Sequence, residues 1–332
     1  MKPVAIVGAA AVSPRGIGWR GLSDPGSSHA STLLAATHPG VRGFEVPPIR
    51  ADADVPPKAR RLMSRGAWLA AIAMRDALID ATWSDRADVG CWLGVGASGG
   101  PLVEMVAMLQ IARDGDHVSM LRLGREGLLA SNPLQSFQVL NNFTMCHGAI
   151  LEGTSGPNGA FFSRGAGTAH ALAEAVFAIS DDDCRRALAG GSDTALHPVT
   201  WAELVRDGFA AGGLVPSEGA AVLALANLED CCEPLAIVDH VGIGELSVPH
   251  AGIDVVVIAP WGAAARDVLS EHAKAIEVID ATAVLGEALA ATPALAWTIA
   301  LDRIASGRAR GAAVLSLGPD GEPCTVLLRG HS

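Results

Sequence analysis

Gly156-Pro157-Asn158-Gly159-Ala160-Phe161-Phe162-Ser163-Arg164-Gly165-Ala166-Gly167-Thr168-Ala169-His170-Ala171 holds a turn, a short apolar run and a glycine-rich approach to a helix. The turn is Gly-Pro-Asn, where Pro presets one backbone angle and Asn and Gly tolerate the others. The run through Phe161 and Phe162 reads as a strand, so the two rings should point to opposite faces. Apolar spacing over Thr168–Ser180 predicts an amphipathic helix. A strand that ends at small residues just before a helix is a place where chemistry can be held against helix N–H groups.

Working outward, short apolar runs alternate with helical patterns. Strands are expected at Val4–Gly8, Val89–Gly96, Arg186–Gly191, Glu218–Ala226, Pro234–Gly244, Asp254–Ala259, Glu277–Ala283, Ala312–Gly318 and Pro323–Leu328. Helices are expected at Lys58–Ala81, Pro101–Ala112, Gly262–Ala275 and Gly286–Gly307. The stripe of the first is Leu62, Leu69, Ile72, Ala73 and Ile79. The Asn227–Glu233 turn joins two long strands, and a soft boundary falls near Asp230–Pro234. Arg20–Val55 and Arg113–Gln138 are the least regular segments, punctuated by Gly, Pro and Asp. The alternation predicts an α/β fold with helices covering central sheets.

Composition narrows the function. Of 332 residues, 50% are hydrophobic but only 4% aromatic, and Tyr is absent, so Ala, Val and Leu build the core. The net charge of −11 and the lack of a basic run argue against a nucleic-acid backbone or an anionic membrane as partner. The start of the chain has no signal-peptide pattern, and no apolar run approaches the length of a membrane span. Six Cys without a C-x-x-C pair suggest a reduced, cytoplasmic protein with neither disulfides nor a metal site.

Three constellations bear on chemistry. Gly96-Ala97-Ser98-Gly99-Gly100 matches G-x-S-x-G between a strand and a helix, the setting of a hydrolase nucleophile. Asp239 and His250 follow in the right order to complete a triad, while a plain Gly turn explains the same residues. After Gly8 come three alanines, so the G-x-G-x-x-G dinucleotide pattern is absent and no cofactor is expected.

The third constellation is the segment quoted above, followed by Ala189-Gly190-Gly191-Ser192-Asp193, Gly208-Phe209 and Pro216-Ser217-Glu218-Gly219-Ala220-Ala221. In order and spacing the set resembles the β-ketoacyl synthases of the thiolase superfamily. Val4–Gly16, Val89–Gly100, Asn141–Gly148 and Ala283–Gly307 extend the resemblance over most of the chain. It implies a thiolase-like, five-layer αβαβα fold with two similar βα halves, taken as residues 1–232 and a shortened 233–332.

The resemblance also implies a nucleophilic Cys nine residues after Gly156, two His that stabilise an enolate, and a supporting Lys. This sequence has Gly165 at the Cys position. The strand Asp254–Ala259 leads into Pro260-Trp261-Gly262 where the family has a His turn, Gly286-Glu287 replaces the family's Gly-His, and Thr282 replaces the Lys. Only Ala210–Ser217 fills a loop that is long in the family. A thiol needs a helix N-terminus and oxyanion donors to work, and glycine carries no side chain.

No condensing catalysis is therefore expected from Gly165, Trp261, Thr282 and Glu287. Ser163, with Cys146 nearby, and Ser98 are the alternative nucleophiles, and His170 aligns with a family His that packs inside the helix. Arg164 stands beside the empty seat, where it would block the pocket, pair with Glu287 or lie in solvent. Gly156, Pro157, Asn158, Gly190, Gly191, Glu218 and Gly219 are expected to serve the fold.

The implied role is that of a chain-length factor: a degenerate subunit that pairs with an active ketosynthase in polyketide, aryl-polyene or fatty-acid-type elongation and shapes its tunnel. The edge Phe161-Phe162-Ser163-Arg164 is the expected dimer interface, and acyl carrier protein a further partner. A serine hydrolase or acyltransferase, and a homodimer that binds an acyl chain or carrier protein, are the other readings.

Overall fold

The computed structural model describes residues 2–35, 37–49, 55–97, 99–100, 102–130, 132–163, 165–208, 213–249, 251–273 and 276–331. Ser98, Arg164, Phe209 and His250 lie outside them.

Ten strands carry the architecture. The first five are β1 (Val4–Ser13), β2 (Gly90–Val95), β3 (Asn158–Phe162), β4 (Arg186–Thr194) and β5 (Glu218–Asn227). The second five are β6 (Ala236–Ile243), β7 (Val255–Pro260), β8 (Glu277–Asp280), β9 (Gly311–Leu317) and β10 (Pro323–Arg329). They form one hydrogen-bonded path, β8-β7-β9-β10-β6-β1-β5-β4-β2-β3.

Read within each half, the path is the same twice: third, second, fourth, fifth, first. In both halves the second strand is parallel to the third and fourth, while the fifth is antiparallel to both neighbours. The halves meet where β1 pairs antiparallel with β6, from Val4↔Val238 to Ile6↔Ala236.

Helices complete the layers. α1 (Arg65–Asp80) packs on β1, β4 and β5, and α2 (Leu102–Ile111) lies on the following excursion. α3 (Phe143–Glu152) packs on α1 and β2. α4 (Gly167–Ser180) rests on β2 and β4 and also touches β6. α5 (Pro198–Arg206) follows β4, α6 (Gly262–His272) covers β7 and β9, and the short α7 (Ala281–Leu285) follows β8. α8 (Ala291–Ala305) contacts β4 and β5 of one half and β7 and β9 of the other. With α4 it forms the middle layer, and 13 of its 15 residues are buried. Trp297 is fully covered there. The order helix, sheet, helix, sheet, helix is the expected five-layer arrangement with two similar halves.

Several element boundaries differ from the sequence reading, each for a local reason. The helix expected over Lys58–Ala81 is broken, because the Ser64 side chain accepts the Ala67 N–H and starts α1 afresh. Leu69, Ile72 and Ala73 are buried as expected, but Ile79 is 57% exposed. β1 continues to Ser13, since its Ala run is covered on both faces. The strand expected to reach Ala283 stops at Asp280, whose carboxylate accepts the Thr282 and Ala283 N–H groups and caps α7. β5 and β6 follow each other in sequence, but β1 is inserted between them. Arg113–Gln138 contains a two-residue hairpin, Arg113–Asp114 with His117–Val118, and short helical turns.

Candidate functional site: a seat filled by Asp320

β3 delivers the chain to the N-terminus of α4, where Gly165, Ala166 and Gly167 are buried. No side chain of this segment caps the helix. The orphan N–H of Ala166 donates instead to Asp320 Oδ2 at 2.8 Å. Asp320 lies in the turn between β9 and β10, in the other half of the molecule. Ser163 Oγ donates to the same carboxylate oxygen and accepts from the Gly165 N–H at 3.3 Å. The Glu322 N–H donates to Asp320 Oδ1 at 3.4 Å.

A helix N-terminus favours an anion, and here the anion is the chain's own. A Cβ at Gly165 would overlap Asp320 Oδ1 and lie 2.8 Å from Gly318 Cα. A side chain at position 165 would have to displace Asp320 and the turn that carries it. Asp320 was not singled out by the sequence reading. Its signal was there: a Pro-Asp-Gly turn after a strand, facing a helix whose own start, Gly-Ala-Gly, offers no cap.

The other three positions expected from the resemblance, Trp261, Thr282 and Glu287, hold buried side chains. Trp261 is buried in a cluster with Leu34, Leu196, Trp201 and Leu204, and its backbone N–H donates to Leu317 O. Thr282 is buried and donates from Oγ1 to Asp280 Oδ1 at 2.7 Å, while Arg266 pairs with Asp280 at 2.5 Å.

Glu287 is buried, and its Oε1 accepts from the Leu289 N–H at 2.7 Å and from Thr292 Oγ1 at 2.8 Å. Burial raises its pKa to about 8, the two hydrogen bonds oppose the rise, and the neighbouring Asp193 and Asp280 charges add to it. The sequence reading made it an anionic carboxylate; desolvation in the fold favours its protonated form.

The remaining candidates are dispersed. His170 stacks on Phe161 with ring centroids 6.2 Å apart and lies 3.5 Å from Glu322, so it packs at the base of β3. Cys146 is half-buried, and its desolvation pushes the thiol pKa up, away from a reactive thiolate. Asp239 pairs with Arg329 at 3.1 Å on the β6–β10 surface. Next to the G-x-S-x-G glycines stands His197, whose Nε2 lies 3.2 Å from Gly100 O. Gly96, Ala97, Gly99, Asp193 and His197 line a cavity of about 30 Å³. Among the described residues, no cluster of three or more His, Cys, Asp or Glu could hold a metal ion, and no helix is long and apolar enough to cross a membrane.

The motif residues hold the frame. Pro157 O accepts the Cys91 N–H at 2.9 Å, and Asn158 Nδ2 donates to Gly156 O, which ties the turn to β2. Gly190 and Gly191 leave room for the backbone at Ala221 and Ala290, and Gly219 for Val12. Glu218 is fully buried and accepts from Arg65 Nε at 3.0 Å and Nη2 at 2.5 Å, and from the Val46 N–H.

The comparisons decide the family. The sequence profile of the beta-ketoacyl synthase N-terminal domain matches residues 1–231. The chain belongs to the β-ketoacyl synthase family. Among solved structures, it is similar to the ishigamide ketosynthase/chain length factor, with a TM-score of 0.80, 17% identity and full coverage of both chains. A β-ketoacyl synthase from Burkholderia phymatum STM815 gives the same three values. A type II polyketide-synthase complex of acyl-carrier protein with its hexaketide-bound ketosynthase gives 0.75 and 15%, with 99% of each chain covered. At these identities the likeness is one of ketosynthase fold. No curated protein sequence matches the chain.

Proposed function

We propose that this β-ketoacyl synthase-like chain is catalytically degenerate. It pairs with an active ketosynthase and shapes that partner's acyl tunnel in polyketide, aryl-polyene or fatty-acid-type elongation, as a chain-length factor does. The observation that carries the reading is the filled seat: Asp320 occupies the space a nucleophile at position 165 would need.

The pairing is supported by the edge of the sheet. Among the described residues β3 ends the strand path and pairs with β2 alone, and an open sheet edge favours association. On it, Phe161 packs toward the core while Phe162 is 56% exposed. The excursion after α2 adds apolar exposure, with Met120 at 74% and Leu129 at 84%, the kind of surface an obligate partner covers.

A homodimer that binds an acyl chain or a carrier protein is the second reading, and a largely apolar cavity of about 320 Å³ lined by Ala173, Val176, Phe177, Ile237 and Val238 is of ligand size. In the proposed assembly, residues 1–232 and 233–332 act as the two halves, in the cytoplasm, and acyl carrier protein visits the pair.

The test is acylation. The purified chain is incubated with a radiolabelled acyl-carrier thioester and malonyl carrier protein. No covalent label and no condensed product are expected. Stoichiometric label on the chain would overturn the reading.

A further inference from the structure

We infer that the cleft where the two halves meet is a binding site for a medium-chain fatty acid, with the tail between α4 and β6 and the carboxylate on Arg329. The inference goes beyond the pairing role. It deepens the acyl-binding reading by giving it a ligand and a place, and it does not need the homodimer.

The cleft has the size and the walls for such a tail. Its volume is about 320 Å³. With a methylene taking about the room of a water, ~30 Å³, a chain of roughly ten carbons fits. One wall is a stripe of α4, Ala173, Val176 and Phe177, at the spacing of a single helix face. The other is Ile237, Val238 and Val241 of β6. Phe177 is 54% exposed, a large ring left in solvent on a helix of the middle layer. Ligand clefts favour places where two domains meet.

The strand pairing leaves this cleft open. β1 and β6 pair only from Val4↔Val238 to Ile6↔Ala236. Pro3, next in line, has no N–H to extend the ladder. The register of β6 against β10 shifts between Val238 and His240. Beyond Val238, β1 therefore adds no further pair to β6.

The rim selects an anion. Lys2 and Arg329 line it with one carboxylate, Asp239, and with His240. Lys2 is engaged with Asp182 at 2.6 Å, and His240 with Glu245 at 2.5 Å. Arg329 has donors to spare. Its Nε and Nη2 both reach one oxygen, Asp239 Oδ1, at 3.2 and 3.1 Å, and its Nη1 has no partner among the described residues. The pair is exposed on both sides, so it holds weakly. A guanidinium has five N–H donors and takes a second carboxylate through the unused ones.

Calorimetric titration of the full chain with sodium decanoate, below its micelle concentration, is the test. One decanoate per chain should bind saturably. A buried methylene is worth about fourfold in affinity, so octanoate should bind roughly 15-fold more weakly. Decanol should bind about tenfold more weakly than decanoate, the scale of one hydrogen bond between charged groups. Arg329→Gln should bring decanoate down to the level of decanol and leave decanol unchanged. Ala173→Trp, which fills the tail wall, should abolish binding of both. If it does not fold, Phe177→Ser at the exposed ring takes its place, with both ligands weakened about tenfold. No saturable decanoate binding, equal affinities for octanoate and decanoate, or equal decanoate affinities of the wild type and Arg329→Gln would overturn the proposal. Light scattering on the same samples separates it from the homodimer reading. A monomer that binds decanoate sustains the site and removes the homodimer, whereas a dimer that binds none removes the site alone.

Discussion

Glu287→Gln should make the protein more stable at alkaline pH, and the gain should grow with pH. Glu287 is buried, and its carboxyl is shifted from 4.5 to about 8 by desolvation. A raised pKa means that the folded state binds the proton more tightly than the unfolded chain. The stabilisation is thus fully present below about pH 4.5 and is lost as the pH rises to about 8. At ~1.4 kcal/mol per pH unit, the rise from 4.5 to about 8 corresponds to at most ~5 kcal/mol. Gln keeps the carbonyl that accepts from Leu289 N–H and Thr292 Oγ1, and it does not titrate.

Urea unfolding of both proteins from about pH 5 to about pH 8.5 is the assay. Groups that do not interact with Glu287 titrate equally in the two proteins and cancel in the difference. The difference should rise by several kcal/mol across the range in favour of Gln. Parallel stability curves would refute the buried, protonated Glu287, and with it the conclusion that this position is a packing site rather than a charged one.

Phe162→Asp should leave the isolated fold intact, since the ring is 56% exposed, yet it should abolish assembly with a ketosynthase partner. Buried against a partner without a counter-charge, the carboxylate costs several kcal/mol; light scattering on the coexpressed pair reads the loss. Gly165→Cys should yield no acyl-enzyme and should destabilise the chain by about 1–3 kcal/mol, because its Cβ collides with Asp320 and Gly318 Cα. Iodoacetamide labelling and thermal unfolding check the two parts.

Much of the fold was legible because the strands are buried on both faces and read as continuous apolar runs. The Gly156–Ala171 segment located α4 to within a residue, while the strand read around Phe161 and Phe162 runs over Asn158–Phe162. Short-range competition was harder to read: Ser64 and Asp280 each cap a helix where the apolar pattern continues without a break. At the site, the space left by the missing side chain of Gly165 was legible, because it is a property of one residue. What fills it was not, because Asp320 lies 154 residues beyond Ala166 and reaches the seat only through the meeting of the two halves. The state of Glu287 was likewise hidden, since it depends on burial and on Thr292, Asp193 and Asp280, which come from separate elements.

The central claim is that this chain acts through a partner's active site. Coexpression with a Cys-containing ketosynthase of the same system, followed by mass measurement of the complex and of its products, tests it most directly. The expected result is a stable one-to-one complex that elongates, with products whose length shifts when exposed apolar residues such as Met120 or Leu129 are enlarged to Trp. A monomer that never joins the ketosynthase, or a ketosynthase whose products are the same length without it, would contradict the claim.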